Sequence, residues 1–368
     1  MKPHVTVALT SVHGGDAPSA GLVAAQMLRR QQALNVRLIV LATDAFADGI
    51  QGVHVADHVV VVPPLARDPG AFVARVCDLA RKERRFVLVP GSAADAIALA
   101  SWEPTLRRAG ARAILPKATR LHELPFPSAG RGVRAPRHLL VAGSHRLQAL
   151  RRAWRYPVGI RFADGDQAWA HSPTDLHAIL SAGPAGAVAG VHETVPGTEI
   201  SVATLARDAA PTSLVVARPL HVAENGVVWS AVTMANPRLV ADARRALAAL
   251  RWRGPAEARF TLDDGGRLWF TGLTPGFPSW VSLTAAAGQD LVLQYVQLAL
   301  GARPARPSAF ADEIFQARVS VDRPTTIDVL RRLVAQGEIR HAAGSRNHLR
   351  TAAPDHAHAA LHQQTLGG

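Results

Sequence analysis

A single cysteine, Cys77, is the whole thiol inventory of this 368-residue chain. It excludes an internal disulfide framework and any zinc motif of spaced cysteines, and it suits a reducing cytoplasm. Cys77 falls in an Ala/Val/Leu-rich helical pattern, so a buried structural thiol is expected. Long apolar runs are missing as well. None approaches the roughly 18 uninterrupted residues of a membrane helix, and the opening MKPHVTVALTSVHGGD passes straight into a strand without an apolar leader. No membrane partner is expected. Lysine is scarce, with only Lys2, Lys82 and Lys117 among 41 basic residues, so arginine carries the net charge of +13. The arginine pairs at 29–30, 107–108, 151–152, 244–245 and 331–332 lie in helix-like segments, where a solvated face is expected. No aromatic residues interleave with basic ones to make a stacking platform, which disfavours nucleic acid. Anionic ligands or partners remain compatible with the charge. No Ser-His-Asp arrangement and no Cys-His pair is present.

What is present describes a folded protein. Apolar residues make up 48% and charged residues 19% of the chain, and the length allows two or three packed lobes. VTVALTS (5–11), VRLIVLAT (36–43), HVVVVP (58–63) and FVLVP (86–90) are apolar strands, with helices following residue 15 and around 70–84 and 93–109. ARAILP (111–116) closes the series as a further strand. Strands without polar alternation, separated by helices, predict a parallel sheet covered on both faces. GGDAPSAG (14–21) lacks the Gly-x-Gly-x-x-Gly order, and its glycines are expected to serve a strand-to-helix turn. Residues 117–136 are rich in Pro, Gly and Arg and read as a linker. A strand HLLVAG, a helix at 144–155 and YPVGIRFADGDQAWAHSPTDLHAIL follow.

Three segments then carry a family resemblance. GPAEARFTLDDGGRLWFTGLTPGFPSW (254–280) sets two strands around an Asp-Asp-Gly-Gly turn, followed by a Pro-containing loop. YPVGIRF (156–162) and AVAGVHETVPGTEISVATLARD (187–208) precede it. Together they resemble the ATP-grasp ligases, the superfamily of biotin carboxylase and carbamoyl-phosphate synthetase, over roughly residues 3–300. The resemblance implies an α/β and α+β molecule: a Rossmann-like domain over 1–125, a small ATP-grasp subdomain over 137–190 and a large one over 191–305. A C-terminal extension over 306–368 is expected to hold one strand pair, a helix at 325–336 and a flexible tail. It further implies that Val191, His192 and Glu193 form a hinge beside an adenine, that Glu199 lies near the ribose, and that Arg161 stands where the family has a phosphate-contacting lysine.

The metal-binding chemistry of that family is not matched. Its first core strand resembles V-E-F and its second E-x-N-P-R, whose Glu and Asn hold magnesium and whose Arg steadies an acyl phosphate. At those positions this chain has Arg259, Gly272, Thr274 and Gly276. Hard cations need oxygen ligands, and Arg259 brings a positive charge instead. Glu257 shares the strand face of Arg259 by the period of two, whereas Asp263 and Asp264 are expected to serve the tight turn. Trp252, Trp269 and Phe270 are expected in the core. His341, His348, His356, His358 and His362 offer a competing metal hypothesis in a loose tail, with incidental placement preferred.

The expectation is therefore an ATP-grasp-fold protein without magnesium-dependent catalysis, a cytoplasmic binding, scaffold or regulatory subunit beside an active ATP-grasp enzyme. ATP or ADP is the implied cofactor, with magnesium disfavoured. Expected partners are an active ATP-grasp protein, an acidic peptide or small molecule, or a second copy of the chain. The alternative is a divergent ATP-dependent carboxylate ligase that forms an acyl phosphate and recruits Glu193, Glu199, Glu257, Arg161 and Arg259 in the cleft.

Overall fold

The computed structural model describes residues 4–14, 19–123, 130–142, 154–162, 167–182, 188–207, 209–223, 227–303, 309–318 and 325–340. Four strands, β1 (His4–Leu9), β2 (Asn35–Ala42), β3 (His58–Val61) and β4 (Phe86–Val89), pair in parallel in the order β3-β2-β1-β4. Their apolar runs are legible as buried strands because helices cover both faces. One face packs on α1 (Ala20–Arg30) and α2 (Ile50–Val55). The other packs on α3 (Pro69–Lys82), α4 (Ala93–Ala100) and α5 (Glu103–Arg108), and Cys77 is buried there. Two elements differ from those expected. The single helix expected over 93–109 breaks between Ala100 and Glu103, because Pro104 has no N–H to bond the Ala100 carbonyl and fits only in the first turn of a new helix. The strand expected over 111–116 is reduced to one bridge, Arg112 beside Val87. The Ile114 N–H donates to the Tyr295 hydroxyl instead, and Pro116 has no N–H to give.

The small lobe is an antiparallel sheet of β5 (His138–Ala142), β6 (Val158–Phe162), β7 (Gln167–Ala170) and β8 (Val188–Glu193), in the order β5-β8-β6-β7. Helix α6 (Pro173–Ala182) belongs to this lobe; its Leu176 packs with Val141, Val158, Ile160 and Val191. The helix expected over 144–155 falls almost wholly outside the described residues.

The large lobe joins β9 (Thr198–Arg207), β10 (Ala210–Val222), β11 (Val228–Thr233), β12 (Gly254–Leu262), β13 (Leu268–Pro275) and β14 (Phe315–Ala317) in the order β13-β12-β9-β10-β11-β14. Helix α7 (Pro237–Ala249) packs Leu239, Ala243 and Leu247 on one face, against Ile200, Val202 and Phe260. Ala203 and Leu205 point to the other face. They join Trp280 and residues of α8 (Ser282–Ala286) and α9 (Leu291–Ala299) in a core continuous with that of the first domain. That face is therefore covered at one end, and Glu199, Ser201 and Arg259 stand at the other.

Helix α10 (Ile327–Gln336) agrees with the expected C-terminal helix, but among the described residues the expected strand pair does not form. β14 pairs with β11, and β15 (Glu338–Arg340) pairs antiparallel with β3. Each short strand satisfies the open edge of a different sheet, a pairing that local sequence cannot reveal. The histidine-bearing segment after residue 340 lies outside the described residues. Among the described residues, no helix is long and apolar enough to cross a membrane.

Candidate functional site: an arginine pair between two sheets

Alternation along the small sheet divides its side chains into two sets. Val158, Ile160, Ala189 and Val191 fill the lobe's core. Gly159, Arg161, Gly190 and His192 therefore belong to the opposite face. Gly159 pairs with His192 on one side and Trp169 on the other. A Cβ at Gly159 would lie 2.3 Å from His192 Nε2, so only glycine lets the imidazole lie across β6. The ring meets Trp169 edge-on at 6.0 Å, and its Nδ1 donates to the Glu193 carbonyl at 3.0 Å. Burial, aided by the positive field of Arg161, drives the His192 pKa down to about 4.

Arg161 reaches from this face to the large sheet. A Cβ on Gly272 would fall 2.1 Å from Arg161 Nη1, so the guanidinium occupies the space a side chain at 272 would need. Gly272 pairs with Arg259 next to a β-bulge and has φ 155°. Arg161 is 4% exposed. Burial first, and then Arg259, lower its pKa to about 9, against the opposing pull of Glu199 and Glu257. It is still a cation at neutral pH.

Burial also works against the charge of Arg259, but Glu257 and Glu199 outweigh it and raise the Arg259 pKa. Glu257 is committed on both oxygens. Oε1 accepts from Trp280 Nε1 at 2.9 Å, and Oε2 accepts from Arg259 Nη2 at 3.3 Å. Its kinship of face with Arg259 is thus as the period-two reading requires. Glu199 is held more loosely, 4.0 Å from Arg259 Nε with its side chain 53% exposed. Ser201, fully buried and in register with Arg259, has an Oγ without a hydrogen-bond partner among the described residues.

The structure therefore brings together Arg161, His192, Glu199 and Arg259. Val191 and Glu193 lie on the other face of β8. Val191 is in the lobe core, while Glu193 borders a separate 320 Å³ cavity with Thr194, Val195 and the β12–β13 turn. In that turn Asp263 accepts from Arg267 N, Arg267 Nε and Trp269 Nε1. These bonds, led by the indole N–H, pull its pKa down to about 2. The structural role expected of Asp263 is met. Trp252 and Phe270 are buried, but Trp269 is half-buried, its ring serving this turn.

Three features escaped the sequence reading. The first is the fit of Arg161 over Gly272, which joins strands more than a hundred residues apart. The second is the Trp280 bond that locks Glu257. The third lies at the carboxyl ends of the parallel strands, where open α/β sheets place ligands. There Asp95 accepts hydrogen bonds from Thr10 Oγ1 and Ser11 Oγ, both at 2.6 Å, and Gly91 N donates to Thr10 Oγ1 at 2.9 Å. Polar residues directly after two buried strands were the available signal.

The donor set does not fit magnesium. The matching positions supply a guanidinium, a glycine and a hydroxyl, and the neighbouring carboxylate is already bonded. Among the described residues, no group of three His, Cys, Asp or Glu could hold a metal. An anion fits better, because guanidinium groups bind phosphate or carboxylate through directed pairs of N–H bonds.

The three-sheet arrangement matches the ATP-grasp fold. Among solved structures, the chain is similar to an N5-carboxyaminoimidazole ribonucleotide synthetase in complex with ADP, with TM-score 0.61 and 15% identity, over 84% of this chain and 80% of that one. Biotin carboxylase from Campylobacter jejuni matches with TM-score 0.60 and 14% identity, over 84% and 74%. The L-amino acid ligase from Bacillus licheniformis matches with TM-score 0.56 and 16% identity, over 83% and 76%. No protein-family model and no curated protein sequence matches the chain. Identities this low speak to the fold alone.

Proposed function

We propose that this ATP-grasp-fold chain binds the phosphates of ATP or ADP without a metal ion, through Arg161 and Arg259, and does not ligate substrates by itself. It acts as a binding or regulatory subunit beside an active enzyme. The observation that carries this reading is the seating of Arg161 over Gly272, beside Arg259. Cations fill the region where the resemblance puts magnesium and its ligands. Glu199 balances Arg259 until a ligand arrives. At 4.0 Å, with Glu199 more than half exposed to solvent, the pair is worth only about 1 kcal/mol, so an incoming phosphate can displace it. His192 stays neutral at physiological pH and adds no competing charge.

The divergent-ligase alternative needs a relocated metal ligand, and Glu257 is the nearest carboxylate on the right strand face. Its bonds to Trp280 and Arg259 count against it. Without a metal clamp or an equivalent cation cluster, the charge of phosphoryl transfer is not neutralised. Assaying the purified chain for ATP hydrolysis with magnesium tests this reading. No turnover above background is expected, and robust magnesium-dependent turnover abolished by Glu257→Ala would overturn it in favour of the ligase.

A further inference from the structure

A second cationic site lies far from the cleft. A cavity of 560 Å³ opens where the first domain meets the large lobe, below the amino-terminal ends of the parallel strands. This is the end opposite the one where open α/β sheets place their ligands. Arg253, which borders it, directly precedes β12 and is six residues from Arg259, or roughly 20 Å of extended chain.

Five arginines line the cavity (Arg85, Arg107, Arg112, Arg207 and Arg253) against two glutamates. Both glutamates are already engaged. Glu103 takes both terminal nitrogens of Arg253, each at 2.7 Å. Glu83 pairs at 2.9 Å with Arg37, which does not line the cavity, and accepts from Thr6. No carboxylate among the described residues pairs with Arg85, Arg107 or Arg112. The wall that carries Arg112 is fixed. Its backbone bonds to β4, its Nη1 donates to the Leu300 carbonyl at 3.3 Å, and Ile114 N is held by Tyr295, whose hydroxyl donates to Leu88 O. Arg85 is held at φ 53°, a backbone region that residues other than glycine rarely enter. The remaining wall is apolar, from Ala80, Ile114 and Leu298.

We propose that this cavity is a binding site for a small molecule carrying two or more phosphate groups, separate from the cleft. The volume suits a small ligand rather than a macromolecule. Three uncompensated guanidinium groups around one opening offer several directed N–H pairs, the geometry that phosphate oxygens accept. Because the cavity is formed by the first domain and the base of the large sheet, an occupant would tie those parts together and add to the stability of both.

Calorimetric titration of the full chain with inorganic pyrophosphate tests the proposal, with citrate as a carboxylate of comparable charge. Saturable pyrophosphate binding is expected. It should weaken at least tenfold in the Arg107→Gln/Arg112→Gln variant and persist in Arg161→Ala, so that failure of the cleft reading and failure of this one are told apart. Both substituted arginines are exposed, and the single variants Arg85→Gln and Arg107→Gln serve as second readings. A basic surface could bind pyrophosphate anywhere, so Arg331→Gln/Arg332→Gln on α10 is the comparison. Absence of saturable binding overturns the proposal. So do equal losses in the α10 variant, unchanged affinity in the Arg107→Gln/Arg112→Gln variant, or citrate binding as tight as pyrophosphate.

Discussion

At the scale of single residues, Gly272 and Arg161 act as one unit. Gly272→Ala forces a Cβ into the Arg161 guanidinium and is expected to cost about 1–3 kcal/mol of stability. In an Arg161→Ala background the same change should cost less, because the clash has gone, and chemical denaturation of the four proteins measures that coupling. Introducing the metal-binding pattern of the resemblance with Arg259→Glu, Gly272→Glu and Thr274→Asn therefore has to include Arg161→Lys. Glu199 separates two readings of its own role. If it only balances Arg259, Glu199→Gln should tighten metal-free ADP binding several-fold; if it holds the ribose, binding should weaken. His192 supplies a pH signature. Its folded pKa of about 4 lies below the 6.5 of an unperturbed histidine, so the unfolded chain binds the extra proton first. Stability is fully present above pH 6.5 and falls as the pH drops toward 4, by up to about 3 kcal/mol. His58 is lowered too, mainly by burial, and acts in the same direction. His192→Gln should flatten the His192 share of an acid denaturation profile, and an unaltered profile would place the titration elsewhere.

At the scale of elements, the sequence reveals what is local and conceals what is distant. β1 to β4 were legible as apolar runs, and the β12–β13 hairpin from its Asp-Asp-Gly-Gly turn, because each signal lies within a few residues. The break near Pro104 was available in principle but was overridden by the alanine-rich pattern on either side. β14 and β15 could not be paired from sequence, since their partners lie about eighty and nearly three hundred residues away. The arginine pair was half legible: Arg161 and Arg259 were found by position, but their convergence over Gly272 depends on how two sheets meet. β15 has a testable role. Glu338 bonds to His58 at 3.2 Å, and β15 closes the open edge of β3. Truncation before Ile327 should lower the melting temperature by roughly 3 °C or more and promote self-association through the exposed edge. A truncated protein that melts and sediments like the full chain would show that the strand is dispensable.

At the scale of the whole molecule, the chain has the ATP-grasp fold, and Arg161 and Arg259 meet between its two antiparallel sheets. Where the family resemblance implies carboxylates gathering divalent metal around phosphates, this chain presents a buried Arg161, a partly buried Arg259 and a carboxylate bonded to an indole. On the proposed metal-free reading, this pair of arginines has one direct consequence for ligand binding. Magnesium takes up negative charge on the nucleotide, so it should compete with the arginines rather than assist them. The decisive measurement is calorimetric titration of the full chain with ADP, in EDTA and again in excess magnesium. Binding in EDTA that weakens at least tenfold in Arg161→Ala, about 1.4 kcal/mol, and that magnesium leaves unchanged or weakens, is the expected result. ADP binding that requires magnesium, or that Arg161→Ala leaves untouched, would contradict a metal-free arginine site.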